Sequence, residues 1–475
     1  MKSLARLRFV SGLVVACSFG AMAIHAAPAA SAPALDWKVG VATRSLTPPG
    51  PIWLAGYASR SSPSDGVQQE VFAKALAIDD GHGGRVVIVT LDLIGVPASL
   101  RAFVEREGER RFKLKPAEIL LNASHTHSGP QVSPDRMQLE RAFSQKAKPA
   151  EVEAVNRYSS FLETAVIEVI GESLKATAPA RLEFAQARAG FAMNRRRPEA
   201  NGSFTNNPYP AGPVDHDVPV LRVTGADGKL RALLFGYACH NTTLSGTKIS
   251  GDYAGYAQAY LESTYAGATA LFMMGCGGDQ NPYPRRGMVP NRSVEDLVQD
   301  HGRALANAVS TALVAVPRPV RGPLRGAFGH ATLAYQSLPA VELAKYKAPE
   351  YTPPVIQRAQ ALIRKLEQRE ASDPLHCPVQ VLQFGSDLTL VAIGGEVVVD
   401  YSLRLKKELQ GPSAVWVAGY SNNVFGYLGS RRVIEEGGYE GGGANFRILN
   451  HPGPFTPDAE DLVISKVHEL RRQLR

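Results

Sequence analysis

Two histidines one residue apart, His125 and His127, follow the apolar run Ile119-Leu120-Leu121 and precede a Gly129-Pro130 turn. Imidazole is a common metal ligand and proton carrier. In a strand, residues i and i+2 share a face, so the pair is expected to look into one pocket. Alone, an HxH is also what two ordinary polar residues in a turn look like. Partners decide between these readings, and polar groups recur where other strand-like runs end. His240 follows Leu230–Cys239, Asp279 and Asn281 follow Ala268–Met274, and Glu396 follows Leu388–Ile393. Tyr427 and Tyr439 lie in the Gly-rich loop beyond Ala414–Tyr420. Two imidazoles, a carboxylate and a phenolate or water oxygen make a ligand set that Zn²⁺ accepts. Taken singly, His240 also reads as a satisfied core histidine, Glu396 as a carboxylate facing a helix dipole, and the tyrosines as loop anchors.

The elements that would position these groups alternate between strand and helix. Arg85–Ile94 is a near-continuous β-branched run, as in a strand buried on both faces. Helical spacing marks Ser99–Phe112, Glu151–Ala178 and Ser293–Val316, the last opened by a Ser293/Asp296 capping box. Thr456-Pro457-Asp458 is expected to open a C-terminal helix with Pro at its first position. Asn194-Arg195-Arg196-Arg197-Pro198 reads as irregular, and Gly441-Gly442-Gly443 as a flexible turn. With no internal repeat, residues 37–475 are expected to form one large α/β catalytic domain. Its central mixed β-sheets would be covered by helices, with the active site at the C-terminal exits of the strands.

Lys2, Arg6 and Arg8, an apolar run Phe9–Ile24 and small residues from Ala26 form a secretory signal over 1–26, followed by an Ala/Pro/Ser-rich linker over 27–36. Export to a periplasmic or extracellular space follows. Val14-Val15-Ala16-Cys17 also resembles a lipoprotein cleavage box, though the apolar run continues past Cys17. Removing the three signal cations leaves 49 Lys+Arg against 44 Asp+Glu, so the formal charge falls from +8 to +5. No basic block interleaved with aromatics points to nucleic acid. No second apolar run is long enough to cross a bilayer, so any membrane contact would be at its surface. Cys239, Cys276 and Cys377 are odd in number and sit in or beside apolar runs, so buried free thiols are expected, with one bridge possible. No GxSxG, HExxH or GxxxxGK[ST] motif offers another chemistry.

The ordered series Gly56-Tyr57-Ala58, Ser124-His125-Thr126-His127-Ser128-Gly129-Pro130, Asn194-Arg195, His240, Gly278-Asp279, Gly395-Glu396, Ser421-Asn422, Tyr427 and Tyr439-Glu440-Gly441 resembles the N-terminal catalytic domain of the neutral/alkaline (non-lysosomal) ceramidase family. The resemblance runs from about Val39 to Glu469, and the family's C-terminal immunoglobulin-like domain has no counterpart before Arg475. It implies one Zn²⁺ per chain, held by His125, His240, Glu396 and Tyr427, that activates a water for cleavage of the N-acyl amide of ceramide or a related lipid. His127, Arg195 and Tyr439 would polarise the scissile carbonyl and stabilise the oxyanion. Asp279 and Asn281 would border the substrate. The family pattern Gly-Asp-x-Ser-Pro reads Gly278-Asp279-Gln280-Asn281-Pro282 here, and Asn281 cannot serve as a nucleophile. Two alternatives stay open: hydrolysis of another amide or ester, or a binding protein that keeps the fold without turnover.

Overall fold

The structure is a computed structural model that describes residues 35–475 apart from 133–147, 286, 349–352, 369 and 450. The signal peptide 1–26, the lipoprotein alternative at Cys17 and linker residues up to 34 lie outside the described residues. Two sheets organise the chain. The larger has nine strands, with a main order of 269–274, 230–237, 217–225, 178–188, 37–45, 72–79, 85–91 and 119–123, and Arg318–Val320 paired to 178–188. Its two end pairs, 230–237 with 269–274 and 85–91 with 119–123, are parallel, and the middle is antiparallel. The smaller sheet runs 324–333, 375–384, 388–393, 414–418, ending in a parallel pair.

Alternation along the strands builds four layers. Leu76, Ile78, Val86, Ile88 and Leu120 of the large sheet pack with Leu382, Leu390 and Trp416 of the small one. Their neighbours Ala75, Ala77, Val87, Val89, Ile119 and Leu121 pack on the opposite face with Val104 and Leu100 of helix Ala98–Phe112 and Val166, Val169 and Ile170 of helix Pro149–Lys175. At the other end of the sheet, Leu233, Phe235, Ala270 and Phe272 pack against helices Asp252–Thr264 and Val294–Val314. On the small sheet, Val381, Val391 and Val417 face the helices Val399–Glu408 and Ala459–Gln473. A period of two with both faces apolar can only be satisfied by a sheet covered on both sides. The α/β architecture read from the sequence holds, and the small sheet itself covers one face of the large one.

Polar side chains join the sheets where their strands end. Asn122, fully buried, donates to Gly419 O at 2.8 Å and Ser421 Oγ at 3.1 Å and accepts from Met274 N at 2.8 Å. Asn422 accepts from Leu121 N and Arg101 Nη1 and donates to Gln380. The Ser421-Asn422 landmark is therefore a structural seam.

Local expectations fare unevenly. The Ser293 capping box forms, with Ser293 Oγ accepting from Asp296 N and Asp296 Oδ2 from Ser293 N, each at 3.0 Å. The last helix begins at Ala459 with Asp458 as N-cap, so Pro457 precedes the cap instead of filling the first turn. The arginine segment is not irregular: Ala192–Asn194 pairs with Gln280–Pro282, and Arg196–Pro198 with Phe204–Asn206. Gly441–Gly443 belongs to a π-helical turn, Tyr439–Gly443. Cys239, Cys276 and Cys377 are buried free thiols. No helix among the described residues is long and apolar enough to cross a membrane.

Two measurements test this frame. Asn122→Leu leaves Met274 N–H without its acceptor, while Gly419 C=O keeps the Ser421 hydroxyl as donor, so urea unfolding should show a loss of about 1–3 kcal/mol. A change below about 1 kcal/mol would contradict the seam. His301 and His451 are pushed down to about 4, chiefly by burial. The unfolded chain binds their protons first, so stability complete above about pH 6.5 is lost as pH falls toward 4, by roughly 1–2 kcal/mol per histidine at pH 5. Equal urea midpoints at pH 7 and pH 5 would count against that burial.

Candidate metal centre

The strand Ile119–Ala123 stops two residues before the first histidine, and His125 takes a left-handed φ of 63°. The expected strand face is therefore not what pairs His125 with His127. Their side chains meet because the backbone turns, with Ser124 N donating to Leu91 O and His125 N to Leu93 O. Gly56, at φ 96°, lies flat on the second ring; a Cβ there would sit 2.5 Å from His127 Cγ. The Tyr57 ring covers the same imidazole at a centroid distance of 4.8 Å, and Arg60 holds the His127 carbonyl.

Backbone contacts fix two of the three nearby imidazoles. His125 Nδ1 lies 2.6 Å from Ile94 O, and His240 Nδ1 lies 2.7 Å from Gly277 O. A carbonyl only accepts, so both Nδ1 atoms carry the proton and both Nε2 lone pairs point inward. Glu396 Oε2 faces them at 3.2 Å from His125 Nε2 and 3.6 Å from His240 Nε2. Tyr427 Oη is 3.4 Å from His240 Nε2, and its register with Glu396 is set by the parallel pairing of Glu396–Val397 with Tyr427–Leu428. Four residues from distant parts of the chain, His125, His240, Glu396 and Tyr427, thus close on one buried point, and each was among the strand-exit and loop residues read from the sequence.

His127 stands apart chemically while close in space. Its Nε2 is 3.1 Å from His125 Nε2, and the ligand atoms of His125, His127 and His240 lie within 4.8 Å of one another. Its buried Nδ1 has no hydrogen-bond partner among the described residues. Metal-bound imidazoles nearly always anchor their other N–H, as His125 and His240 do and His127 does not.

The electrostatics suit a cation. Burial and then the Arg195 charge lower His240 to about 3, so it stays a neutral donor at neutral pH. Burial, then His125 and His240, push His127 well below its usual range. The buried Glu396 carboxylate faces both Nε2 atoms, with neither Nε2 carrying a proton to donate to it. Inward lone pairs and a carboxylate oxygen repel one another in a buried space unless positive charge lies between them. The donor set of two neutral imidazoles, a carboxylate and a phenol oxygen could hold a metal ion.

Arg195, Tyr439 and Asn281 line the flank beyond Tyr427. Arg195 Nη2 donates to Tyr427 Oη at 3.0 Å, and Nη1 to Asn281 Oδ1 at 3.3 Å. Asn281 in turn donates to Asn206 Oδ1 at 3.0 Å. The Tyr439 ring, the most exposed part of this group, packs edge-on to Tyr427 with centroids 5.3 Å apart. Asp279 is not at the substrate border that the resemblance implied. It is fully buried, one carboxylate oxygen accepting from Val399 N at 2.9 Å and the other from Asn194 Nδ2 at 2.8 Å. Burial, the main cause, raises its carboxyl to about 6. Asp279 ties the start of the helix after Glu396 to Asn194, the last residue of its strand and the neighbour of Arg195.

The sequence reading missed Tyr420 and the acid beside Tyr439. The buried Tyr420 ring lies 4.6 Å from the His125 ring, at φ 51°. Glu440 accepts from Arg195 and Arg196. Glu440 was quoted as part of a motif, but an acid in a Gly-rich segment does not announce its partner.

A family model for the neutral/alkaline non-lysosomal ceramidase N-terminal region matches residues 37–291. That stretch includes His125, His127, Arg195, His240, Asp279 and Asn281; Glu396, Tyr427 and Tyr439 lie beyond it. Neutral ceramidase A of Dictyostelium discoideum is 26% identical over 251 residues, 50% of this chain and 33% of that protein. Neutral ceramidase of Pseudomonas aeruginosa is 25% identical over 263 residues, 52% of this chain and 37% of that protein. The matches thus span about a third of the length of these curated relatives. The crystal structure of the Pseudomonas aeruginosa enzyme shares the fold, with a TM-score of 0.72 over 93% of this chain and 75% of that chain at 19% identity.

A divalent transition metal should stabilise the metal-free protein, by about 2.7 kcal/mol at a hundredfold excess over its Kd. Thermal melting with and without the metal reads this, and Glu396→Gln should remove most of the gain. An equal gain in wild type and variant would place the ion elsewhere.

Proposed function

The chain belongs to the neutral/alkaline non-lysosomal ceramidase family, and from that premise we propose that it is an exported zinc-dependent amidohydrolase acting on an N-acyl lipid such as ceramide. The observation that carries the reading is the approach of His125 Nε2 and His240 Nε2 to Glu396 Oε2, at 3.2 Å and 3.6 Å, with both Nδ1 groups anchored on backbone carbonyls. His125, His240, Glu396 and Tyr427 would hold one Zn²⁺, a set of nitrogen and oxygen donors that this ion accepts, and a catalytic role would require one further position open to water. Bound there, the ion would supply Lewis acidity and a water acidic enough to attack near neutral pH.

The chain's own groups then handle the substrate. His127, free of the Nδ1 anchor that marks the ligands, presents its Nε2 side to the space beside His125, where a carbonyl oxygen can be polarised. Arg195 and Tyr439 flank the same space from the Tyr427 side. Fixed donors aimed at a developing oxyanion each contribute about 10²–10³-fold to kcat. Asn281 offers no nucleophile, so attack falls to water, and its amide, held by Arg195 and Asn206, shapes the pocket wall. The charged, apolar and small-residue order at residues 1–26 supports export.

A fluorogenic N-acyl substrate panel combined with metal analysis tests this. One zinc per chain, turnover abolished by a chelator and restored by zinc, is the expected result. His127→Ala should keep zinc and lose about 10²–10³-fold in kcat, whereas His125→Ala should lose the zinc itself. Stoichiometric zinc without hydrolysis of any panel member would favour a binding protein on this fold.

A further inference from the structure

Arg195 is buried, and its guanidinium is held on three sides. Nε donates to Glu440 Oε1 at 2.7 Å, Nη2 to Tyr427 Oη at 3.0 Å and Nη1 to Asn281 Oδ1 at 3.3 Å. Only the first of these partners is charged at neutral pH in the protein alone. Glu440 is itself buried, and its other oxygen accepts from Arg196 Nη1 at 2.8 Å. Arg196 reaches on to Glu436 and Gly437 O and lies over the Phe204 ring, 4.9 Å from its centroid. One carboxylate thus bridges two adjacent guanidiniums, and the second is tied to a different element. The bridge fixes the rotation of the Arg195 fork, since a planar guanidinium anchored through Nε leaves its two Nη groups one plane in which to point.

The backbone gives Glu440 little latitude. It sits in the π-helical turn Tyr439–Gly443, entered through Gly437 and Gly438 at φ 68° and 75°. A Cβ on Gly441 would lie 2.5 Å from Val433 O, so the turn packs against helix Arg431–Glu436 too closely for a larger residue. The same turn carries Tyr439. Glu440 therefore sets two of the groups that flank the Tyr427 side, one through its carboxylate and one through its neighbour in the chain.

We propose that Glu440 is a positioning residue for the reaction: by bridging Arg195 and Arg196 it holds the Arg195 guanidinium in the orientation in which it meets the substrate carbonyl beside Tyr427. The inference rests on the proposed amidohydrolase reading for what Arg195 does, but not for where Arg195 stands. A displacement of about 1 Å in such a group can cost about 10²-fold in rate.

The test uses Glu440→Gln and the paired variant Glu440→Leu/Arg196→Met, with the full chain in each case. The paired variant removes the Glu440 and Arg196 charges together and leaves the buried Arg195 Nε without its acceptor, a destabilising change, so its folding is checked first by circular dichroism. Crystal structures of the variants and of wild type read the Arg195 position, and steady-state kinetics read kcat and KM. The expected result is a guanidinium displaced from Tyr427 Oη by about 1 Å or more, zinc content unchanged, kcat down at least tenfold and KM within about twofold. An Arg195 that keeps its place and its kcat in either folded variant would overturn the proposal. Should the paired variant fail to fold, Glu440→Gln decides by the same readouts. If wild type hydrolyses no amide, the functional reading fails, while the crystallographic arm still decides whether Glu440 positions Arg195.

Discussion

The constraint on which the site depends is the pair of hydrogen bonds from His125 Nδ1 to Ile94 O and from His240 Nδ1 to Gly277 O. They choose a tautomer for each ring, and that choice turns two lone pairs toward Glu396. Without them the imidazoles could flip or share protons, and the cluster would be an ordinary buried hydrogen-bond network. With them it is a concentration of electron density in a dry place, which a cation relieves and little else can. The same criterion separates His127, whose Nδ1 finds no acceptor among the described residues.

Everything around the site serves to bring those carbonyls and rings to one point. His125 stands just past the large sheet's edge strand Ile119–Ala123, while Ile94 follows the neighbouring parallel strand Arg85–Leu91. His240 and Gly277 follow another parallel pair at the opposite end of the same sheet. Glu396 follows the small sheet's strand Leu388–Ile393 and pairs with Tyr427 in a two-stranded ladder, and Asn122 and Asn422 join the strand ends of the two sheets just behind it. Asp279 makes a further link, joining the start of the helix after Glu396 to Asn194 beside Arg195. Parallel pairs put neighbouring strand ends on one side, and stacking two sheets face to face brings three such ends together.

Much of this was legible in the sequence, for reasons that are physical. Apolar runs such as Val86–Leu91 signalled strands buried on both faces, and the polar residue at each run's end was the candidate ligand. What the sequence could not supply was distance. The ligand-set residues are separated by up to 302 positions, from His125 to Tyr427, and no local pattern encodes their meeting. Local geometry also misled where tertiary pairing overrides it. The three-residue strands at 192–194 and 196–198 are too short to show alternation and exist because 280–282 and 204–206 lie beside them. Likewise a strand face was the natural explanation for His125 and His127, yet a left-handed turn is what joins them. Asp279 read as a substrate group, and only its two donors, the Val399 backbone amide and the Asn194 side chain, reveal that its carboxylate is already engaged.

The central claim is a division of labour between two histidines a single residue apart. Anomalous scattering at the zinc edge from crystals of the metal-bound protein tests it most directly. The account predicts one peak within about 2.0–2.2 Å of His125 Nε2, His240 Nε2, a Glu396 carboxylate oxygen and Tyr427 Oη, with His127 Nε2 outside that sphere. A peak held by His125, His127 and His240, with Tyr427 or Glu396 left out, would contradict it.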